Sequence, residues 1–220
     1  MSEPMGREVM AMRVAREFQD GDVVNLGIGI PTLASSFIPD ERQVTFHSES
    51  GVLGYGEVLG DEDADIDLIN AGGQFVAPLP GMSVFGSVEA FAMIRGGHID
   101  VTVLGALQVS ERGDLANWMF PERGIGNVGG AMDLAAGARR MIVVMEHTTR
   151  EGLPRIVKAC DYPITGLSCV DLIVTNIGVI KVTREGLVLK ETAPGFSPED
   201  IQAQTEPKLI VAPDLKEVEL

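Results

Sequence analysis

The sequence has few cysteines and few basic residues. Only Cys160 and Cys169 occur, and they do not form a Cys-x-x-Cys pair. We therefore expect two reduced, buried thiols and a cytoplasmic protein. The 17 basic residues are outnumbered by 32 acidic ones, which gives a formal net charge of −15. This charge disfavours nucleic acids and anionic membrane surfaces as partners, because both present negative charge to a protein.

Long apolar runs are also missing. No stretch approaches the roughly 20 apolar residues of a membrane span. Charged residues interrupt positions 1–18, which therefore lack the apolar block of a signal peptide. Aromatic residues make up 5% of the chain, against 26 glycines, and this favours an α/β protein over an aromatic-rich β-sandwich. We expect the 220 residues to form one domain spanning 1–220.

Candidate metal ligands are dispersed along the chain. His47, His98 and His147 lie far apart, and no His-x-x-x-His pattern supports them as a metal site. We expect structural histidines and no metal. Serine catalysis is disfavoured as well, because Ser48 has no glycine two residues before it, as a nucleophile elbow requires.

Hydrophobic periodicity predicts strands that alternate with helices. Helices are predicted at 5–18, 32–37, 83–94 and 131–138, with another beginning at Ser197. Strands are predicted at 23–26, 44–46, 66–69, 99–104, 141–145, 170–175, 179–183 and 187–191, the last two joined as a hairpin. Prolines indicate a loop at 75–81, and 105–120 is expected to be a hairpin or a functional loop. This order predicts an open α/β sheet with flanking helices and additional β hairpins.

Two glycine-rich turns follow strands. Gly27 and Gly29 form the first turn, which resembles a dinucleotide fingerprint but lacks its third glycine and the lysine of a phosphate loop. An NAD-linked oxidoreductase is therefore a weak alternative. The second turn, 124–130, holds four glycines and leads into a helix of small residues, where backbone N–H groups can converge.

Glu49 follows the predicted strand 44–46 and precedes Gly51, so it lies at a strand end, where α/β proteins place their chemistry. With a reference pKa near 4.3, a carboxylate is anionic at neutral pH and needs no adjacent base to attack an acyl group. Such an attack gives an anhydride, which a thiolate can reopen. Each step also creates an oxyanion that needs hydrogen-bond donors, and the second glycine turn is the best candidate source.

The residues around Glu49 resemble a known signature. Phe-His-Ser-Glu-Ser-Gly-Val-Leu-Gly at 46–54 is similar to the active-site sequence of family I coenzyme A transferases, in particular the B subunit of 3-oxoacid CoA-transferases. Further similar segments follow the family's order at 25–31, 70–72, 129–134, 145–148 and 163–166. The resemblance covers roughly residues 5 to 212 and implies a CoA-transferase-like, Rossmann-like fold.

The resemblance also implies roles. Glu49 would form a glutamyl-CoA thioester, the Gly130 N–H would belong to the oxyanion hole, and Asn25 would position the acyl carboxylate or thioester. Cofactor-binding contacts to the CoA thioester are expected from Asn25 and three glycines, which are Gly27, Gly29 and Gly129. The family usually has Asn after the nucleophile, and Ser50 departs from this.

The implied reaction moves CoA from a donor such as succinyl-CoA to a 3-oxoacid such as acetoacetate. Coenzyme A thioester is then a substrate, and no tightly bound cofactor is expected. The family's A-subunit half is missing from this sequence, so the resemblance implies a partner A subunit in a hetero-oligomer. A non-catalytic sensor of an acyl or phosphorylated metabolite on the same fold is the alternative from another class.

Overall fold

A ten-stranded mixed sheet organises the fold. The computed structural model describes residues 3–60, 62, 64–124 and 126–219. The sheet has the order β13-β12-β11-β10-β8-β5-β1-β2-β3-β4. Its strands are β1 (Val23–Leu26), β2 (Thr45–Ser48), β3 (Val52–Val58), β4 (Val76–Val84), β5 (Val101–Leu104), β8 (Arg140–Met145), β10 (Leu172–Thr175), β11 (Gly178–Thr183), β12 (Gly186–Thr192) and β13 (Leu209–Glu217). A smaller sheet has the order β7-β6-β9, with β6 (Gln108–Ser110), β7 (Leu115–Ala116) and β9 (Ile156–Val157).

The middle of the large sheet is parallel and its sides are antiparallel. Strands β10, β8, β5, β1 and β2 run parallel to their neighbours in that group. Strands β3 and β4 add antiparallel pairs on one side, and β11 and β12 do so on the other. The predicted open sheet with flanking helices and additional hairpins is thus confirmed.

Helices cover both faces of the sheet. They are α1 (Arg7–Ala15), α2 (Ile30–Leu33), α3 (Ser87–Arg95), α4 (Ala131–Gly137) and α5 (Pro198–Gln202), with 3₁₀ turns at Ala34–Phe37 and Pro121–Arg123. In β8, Ile142 and Val144 belong to one buried cluster, which also contains residues of α1. Met141 and Val143 alternate with them and join a second cluster with residues of α3 and α4. Side chains of a strand alternate between faces, so a nearly continuous apolar strand stabilises both layers.

Several predicted elements are confirmed by the structure. Strand β1 has the predicted bounds, and the hairpin of β11 and β12 turns at 184–185 as expected. The predicted hairpin or loop at 105–120 contains the antiparallel pair β6 and β7. Helix α5 begins after Ser197, whose hydroxyl and Asp200 form a capping box, with Pro198 in the first turn.

The region 52–84 corrects the sequence prediction. The predicted loop 75–81 is wrong, because it lies within strand β4, and the helix predicted at 83–94 begins only at Ser87. β4 is the last strand of the sheet, and prolines are tolerated there because an edge strand leaves N–H groups unpaired. The predicted strand 66–69 is also wrong: it is mostly turn, and Ile69 forms only an isolated bridge to Phe75.

A buried ion-pair network fastens α1 to β12. Arg13 donates from Nε and Nη2 to the two carboxylate oxygens of Glu191, at 2.7 and 2.9 Å, and from Nη1 to Glu17 at 2.7 Å. Arg140 also pairs with Glu17. Burial works against the charged Arg13, but the hydrogen bonds to both carboxylates leave its pKa raised. Each charge in this network is therefore compensated within it.

Candidate active site

The candidate site is a cavity at the carboxyl ends of β1, β2 and β5. Parallel α/β sheets bind ligands at this edge. The cavity has a volume of about 360 Å³. Its lining combines one carboxylate with glycines, apolar side chains and two amides, namely Gly27, Ile28, Glu49, Leu104, Gly105, Ala106, Leu107, Asn117, Asn127, Val128, Gly129, Gly130, Ala131 and Leu134.

Glu49 enters this cavity from the turn between β2 and β3. Its side chain is half-buried, and its Oε2 accepts a hydrogen bond from Asn25 Nδ2 at 3.2 Å. Asn25 is fully buried on β1, the strand beside β2. The two residues predicted to act on the acyl group are thus in direct contact.

The turn that carries Glu49 is fixed by backbone contacts. Gly51 adopts a positive φ of 106° and accepts a hydrogen bond from the Phe85 N–H at 2.9 Å. A β-carbon at Gly51 would lie only 2.0 Å from the Phe85 carbonyl oxygen, so only glycine fits here. The Ser50 hydroxyl contacts Ser48 Oγ at 2.8 Å and donates to the Ile69 carbonyl at 3.1 Å. Ser50 therefore ties the turn to a neighbouring loop and does not line the cavity.

Gly130 lies against the Glu49 carboxylate from the opposite wall. It is the N-cap of α4, and a β-carbon there would lie 3.0 Å from Glu49 Oε1 and 3.2 Å from its Cγ. Within the described residues, the backbone N–H groups of Val128, Gly129 and Gly130 donate no hydrogen bond. Such free donors next to a carboxylate nucleophile are what an oxyanion hole requires.

The remaining predicted glycines divide between two places. Gly27 and Gly129 line the cavity with Glu49, and Gly27 packs so closely on β5 that a β-carbon would lie 2.9 Å from Leu104 Cδ2. Gly29 lies instead in an adjacent crevice near Arg7, which shares only Ile28 with the cavity. Of the second glycine turn, 124–130, Ile125 lies outside the described residues.

Several residues of the site were not predicted from the sequence. Apolar side chains of the 104–107 turn and Asn117 form one wall. Asn117 falls in the segment expected to be a functional loop, so the only signal for it was the polar character of that segment. Its Nδ2 donates to the Gly105 carbonyl at 3.2 Å, and its Oδ1 accepts from Thr165 at 2.7 Å. Both ends of this amide are thereby held in place.

Two of the three histidines are buried in different environments. His147 contacts Thr175 through Nδ1 at 2.9 Å and Thr205 through Nε2 at 2.8 Å, and burial lowers its pKa to about 4. It is a satisfied structural histidine, as predicted. His47 contacts Asn25 and therefore belongs to the surroundings of Glu49. Among the described residues, no group of three or more His, Cys, Asp or Glu could hold a metal ion.

Burial and charge also act on Tyr55, which follows Glu49 on β3. Burial raises the pKa of its phenol, and the charge of Glu49 raises it further. Tyr55 is therefore neutral at physiological pH. Within the described residues, no helix combines the length and apolar character needed to cross a membrane.

A family model supplies the deciding comparison. The model for coenzyme A transferase matches residues 7–204. The chain belongs to the coenzyme A transferase family. This confirms the resemblance seen in the sequence, and neither an NAD-linked oxidoreductase nor a ligand sensor is supported.

Curated members of the coenzyme A transferase family are similar over most of this chain. Succinyl-CoA:3-ketoacid coenzyme A transferase 2B, mitochondrial, from Mus musculus is 50% identical over 206 residues, which are 93% of this chain and 40% of the mouse protein. The B subunit of the 3-oxoadipate CoA-transferase of Pseudomonas putida is 46% identical over 203 residues, covering 92% of this chain and 95% of the Pseudomonas chain. The chain thus spans about two fifths of the mitochondrial relative.

A solved structure supports the family fold. The apoenzyme of an acyl-CoA transferase (YdiF) from Escherichia coli O157:H7 aligns with 100% of this chain and 44% of that protein, with a TM-score of 0.76 and 21% sequence identity. At this identity the match supports the coenzyme A transferase fold alone.

Proposed function

We propose that this chain is the B subunit of a 3-oxoacid CoA-transferase and that Glu49 is its nucleophile. The observation that carries the proposal is the position of the Glu49 carboxylate between the Asn25 amide and Gly130. Family membership supports CoA transfer as the reaction, and the geometry supplies an anion at the floor of a cavity with free N–H donors beside it.

The reaction proceeds in balanced steps. The Glu49 carboxylate attacks the thioester carbonyl of the donor, and the carbon–sulfur bond breaks to release CoA thiolate and leave a mixed anhydride. The thiolate then attacks the glutamyl carbonyl, which releases the donor acid and leaves a glutamyl-CoA thioester. The acceptor carboxylate reverses both steps. Gly130 and Gly129 N–H groups stabilise the oxyanion formed at each attack.

The proposed substrates are a donor such as succinyl-CoA and a 3-oxoacid such as acetoacetate. The mouse relative is named for succinyl-CoA and 3-ketoacids, whereas the bacterial relative is named for 3-oxoadipate. CoA thioester is a substrate here, and no tightly bound cofactor is proposed. Asn25, Gly27, Gly29 and Gly129 are proposed to contact it, with Gly29 at the adjacent crevice.

We also propose an A-subunit partner and a cytoplasmic location. The Pseudomonas relative is named as one of two kinds of subunit, and the mouse relative is more than twice as long as the segment it shares with this chain, which supports a missing second half. The two cysteines are free, as expected for a reducing compartment. The single domain predicted for 1–220 stays a prediction.

The test uses the chain co-expressed with an A subunit. Incubation with succinyl-CoA should add one CoA to the peptide that contains Glu49, and borohydride should reduce this thioester. Glu49→Gln should abolish transfer and labelling. Glu146→Gln is the matched control, because Glu146 is an exposed carboxylate at the end of β8. An active enzyme whose Glu49 peptide stays unmodified would refute the proposal.

A further inference from the structure

Three buried polar side chains form a row behind Glu49. His47 on β2 pairs in register with Asn25 on β1, and Asn25 pairs with Thr102 on β5. All three are at most 1% exposed. Residues paired in register on parallel strands project from the same face of the sheet. The row therefore connects the interior of the sheet with the carboxylate of Glu49.

The Asn25 amide is oriented through its nitrogen. Nδ2 lies 3.1 Å from His47 Nδ1, 3.3 Å from the His47 carbonyl oxygen and 3.2 Å from Glu49 Oε2. An amide nitrogen has two hydrogens, so one is donated to Glu49 and the other is directed at His47. Asn25 Oδ1 is buried and accepts no hydrogen bond from any described residue. The acceptors around Nδ2 thus decide which way the amide points.

This arrangement requires a particular form of His47. Nδ1 can accept a hydrogen bond only when the imidazole is neutral and its proton is on Nε2. Burial lowers the pKa of His47, and the nearby Ala90 backbone opposes this only in part. A proton on Nδ1 would face the Asn25 N–H. The amide would then have to turn its oxygen toward both His47 and the Glu49 carboxylate, and this contact is repulsive.

We propose that His47 is a positioning residue for the nucleophile: its neutral Nδ1 orients the Asn25 amide, which in turn holds Glu49 Oε2. The inference rests on the proposed role of Glu49. Because Oε2 is engaged by Asn25 and Oε1 faces Gly130 across the cavity, the geometry assigns Oε1 as the attacking oxygen.

Three substitutions separate this role from simple packing. His47→Asn keeps an oxygen acceptor close to the position of Nδ1, His47→Gln moves the acceptor toward the position of Nε2, and His47→Leu removes it. Displacing a reacting group by about 1 Å can lower a rate by about 100-fold. We therefore expect kcat and the rate of Glu49 labelling by succinyl-CoA to fall about 10- to 100-fold in the Gln and Leu variants. The Asn variant should stay within about 3-fold of wild type, and KM should change little in all three.

The assays use the chain co-expressed with its A subunit, with urea denaturation to compare stability. Wild-type kcat in His47→Leu or His47→Gln would overturn the proposal. So would an equal loss in a stably folded His47→Asn. If the Leu variant does not fold, the Asn and Gln pair decides.

Nitrogen NMR of histidine-labelled wild-type protein provides a measurement that does not depend on activity. We expect His47 to carry its proton on Nε2, and an Nδ1–H tautomer would overturn the proposal. Absence of a CoA adduct on wild-type Glu49 would instead refute the proposed function. In that case the tautomer would still decide whether His47 orients Asn25.

Discussion

Replacing Gly130 with alanine should disable the nucleophile while leaving the fold intact. Gly130 has φ −89° and ψ 1°, a conformation that alanine also adopts, so no backbone strain is expected. The added methyl group would lie 3.0 Å from Glu49 Oε1, 3.2 Å from Glu49 Cγ and 3.3 Å from Phe91 Cε1. Comfortable carbon contacts are about 3.5 to 4.0 Å. The Glu49 side chain must therefore move by several tenths of an ångström.

The direction of this movement decides its effect. Glu49 is held by Asn25 on one side, so displacement by the methyl group strains that hydrogen bond. We expect kcat to fall about 10- to 100-fold, on the scale of rate losses seen for misplaced reacting groups. The Gly130 N–H is retained in alanine, so the loss would come from the position of Glu49 and not from a missing donor. Stability should fall by about 1 kcal/mol or less, as for alanine at a helix N-cap.

The assay compares Gly130→Ala with Gly6→Ala. Gly6 is also a helix N-cap with negative φ, and a β-carbon there meets nothing within 4 Å. Both variants, assembled with an A subunit, are measured for steady-state transfer, CoA labelling of Glu49 and urea stability. Gly6→Ala should keep wild-type kcat. A Gly130→Ala enzyme with wild-type kcat and labelling rate would refute the inferred contact between Gly130 and the nucleophile.

Two further predictions concern stability. His147 has a pKa of about 4 in the fold, against 6.5 for the unperturbed side chain, so the unfolded state binds its proton first and stability should fall between these pH values. The loss is at most about 3 kcal/mol, and urea titrations at pH 7 and 4.5 should show a smaller loss in His147→Gln; equal losses would contradict the assignment. Arg13→Met should lower the free energy of unfolding by about 3 kcal/mol, because it leaves Glu191 buried without its partner. Adding Glu191→Leu should recover most of that loss, and a fully stable single variant would contradict this account of the network.

Local sequence signals predicted the central strands well. Strand β1 is bounded by Gly21 and Asp22 on one side and Gly27 on the other, so apolar pattern and turn residues agree. Strands β3 and β4 were missed because Gly54 and Gly56 in one, and prolines in the other, interrupt the pattern. These strands are stabilised by pairing with their neighbours, and their register shifts at several points. Such non-local pairing leaves little trace in the local sequence.

The site was predictable where it depended on a contiguous motif. Glu49 and the second glycine turn could be recognised singly, and the chemistry of a carboxylate nucleophile suggested that they meet. The role of His47 could not be recognised, because it depends on the register that sets His47 beside Asn25. A shift of one residue between β1 and β2 would turn one of these side chains to the other face of the sheet.

Helix α3 reaches both sides of the catalytic cavity. The residue just before it, Phe85, binds the Gly51 backbone and stacks on the His47 ring with centroids 6.4 Å apart. On the helix itself, Phe91 closes against Gly130. The spacing between nucleophile and glycine turn is therefore set by one short helix, whose Val88 side chain is 78% exposed. A compound that pushed α3 aside from this outer surface would inhibit the enzyme without resembling any of its substrates.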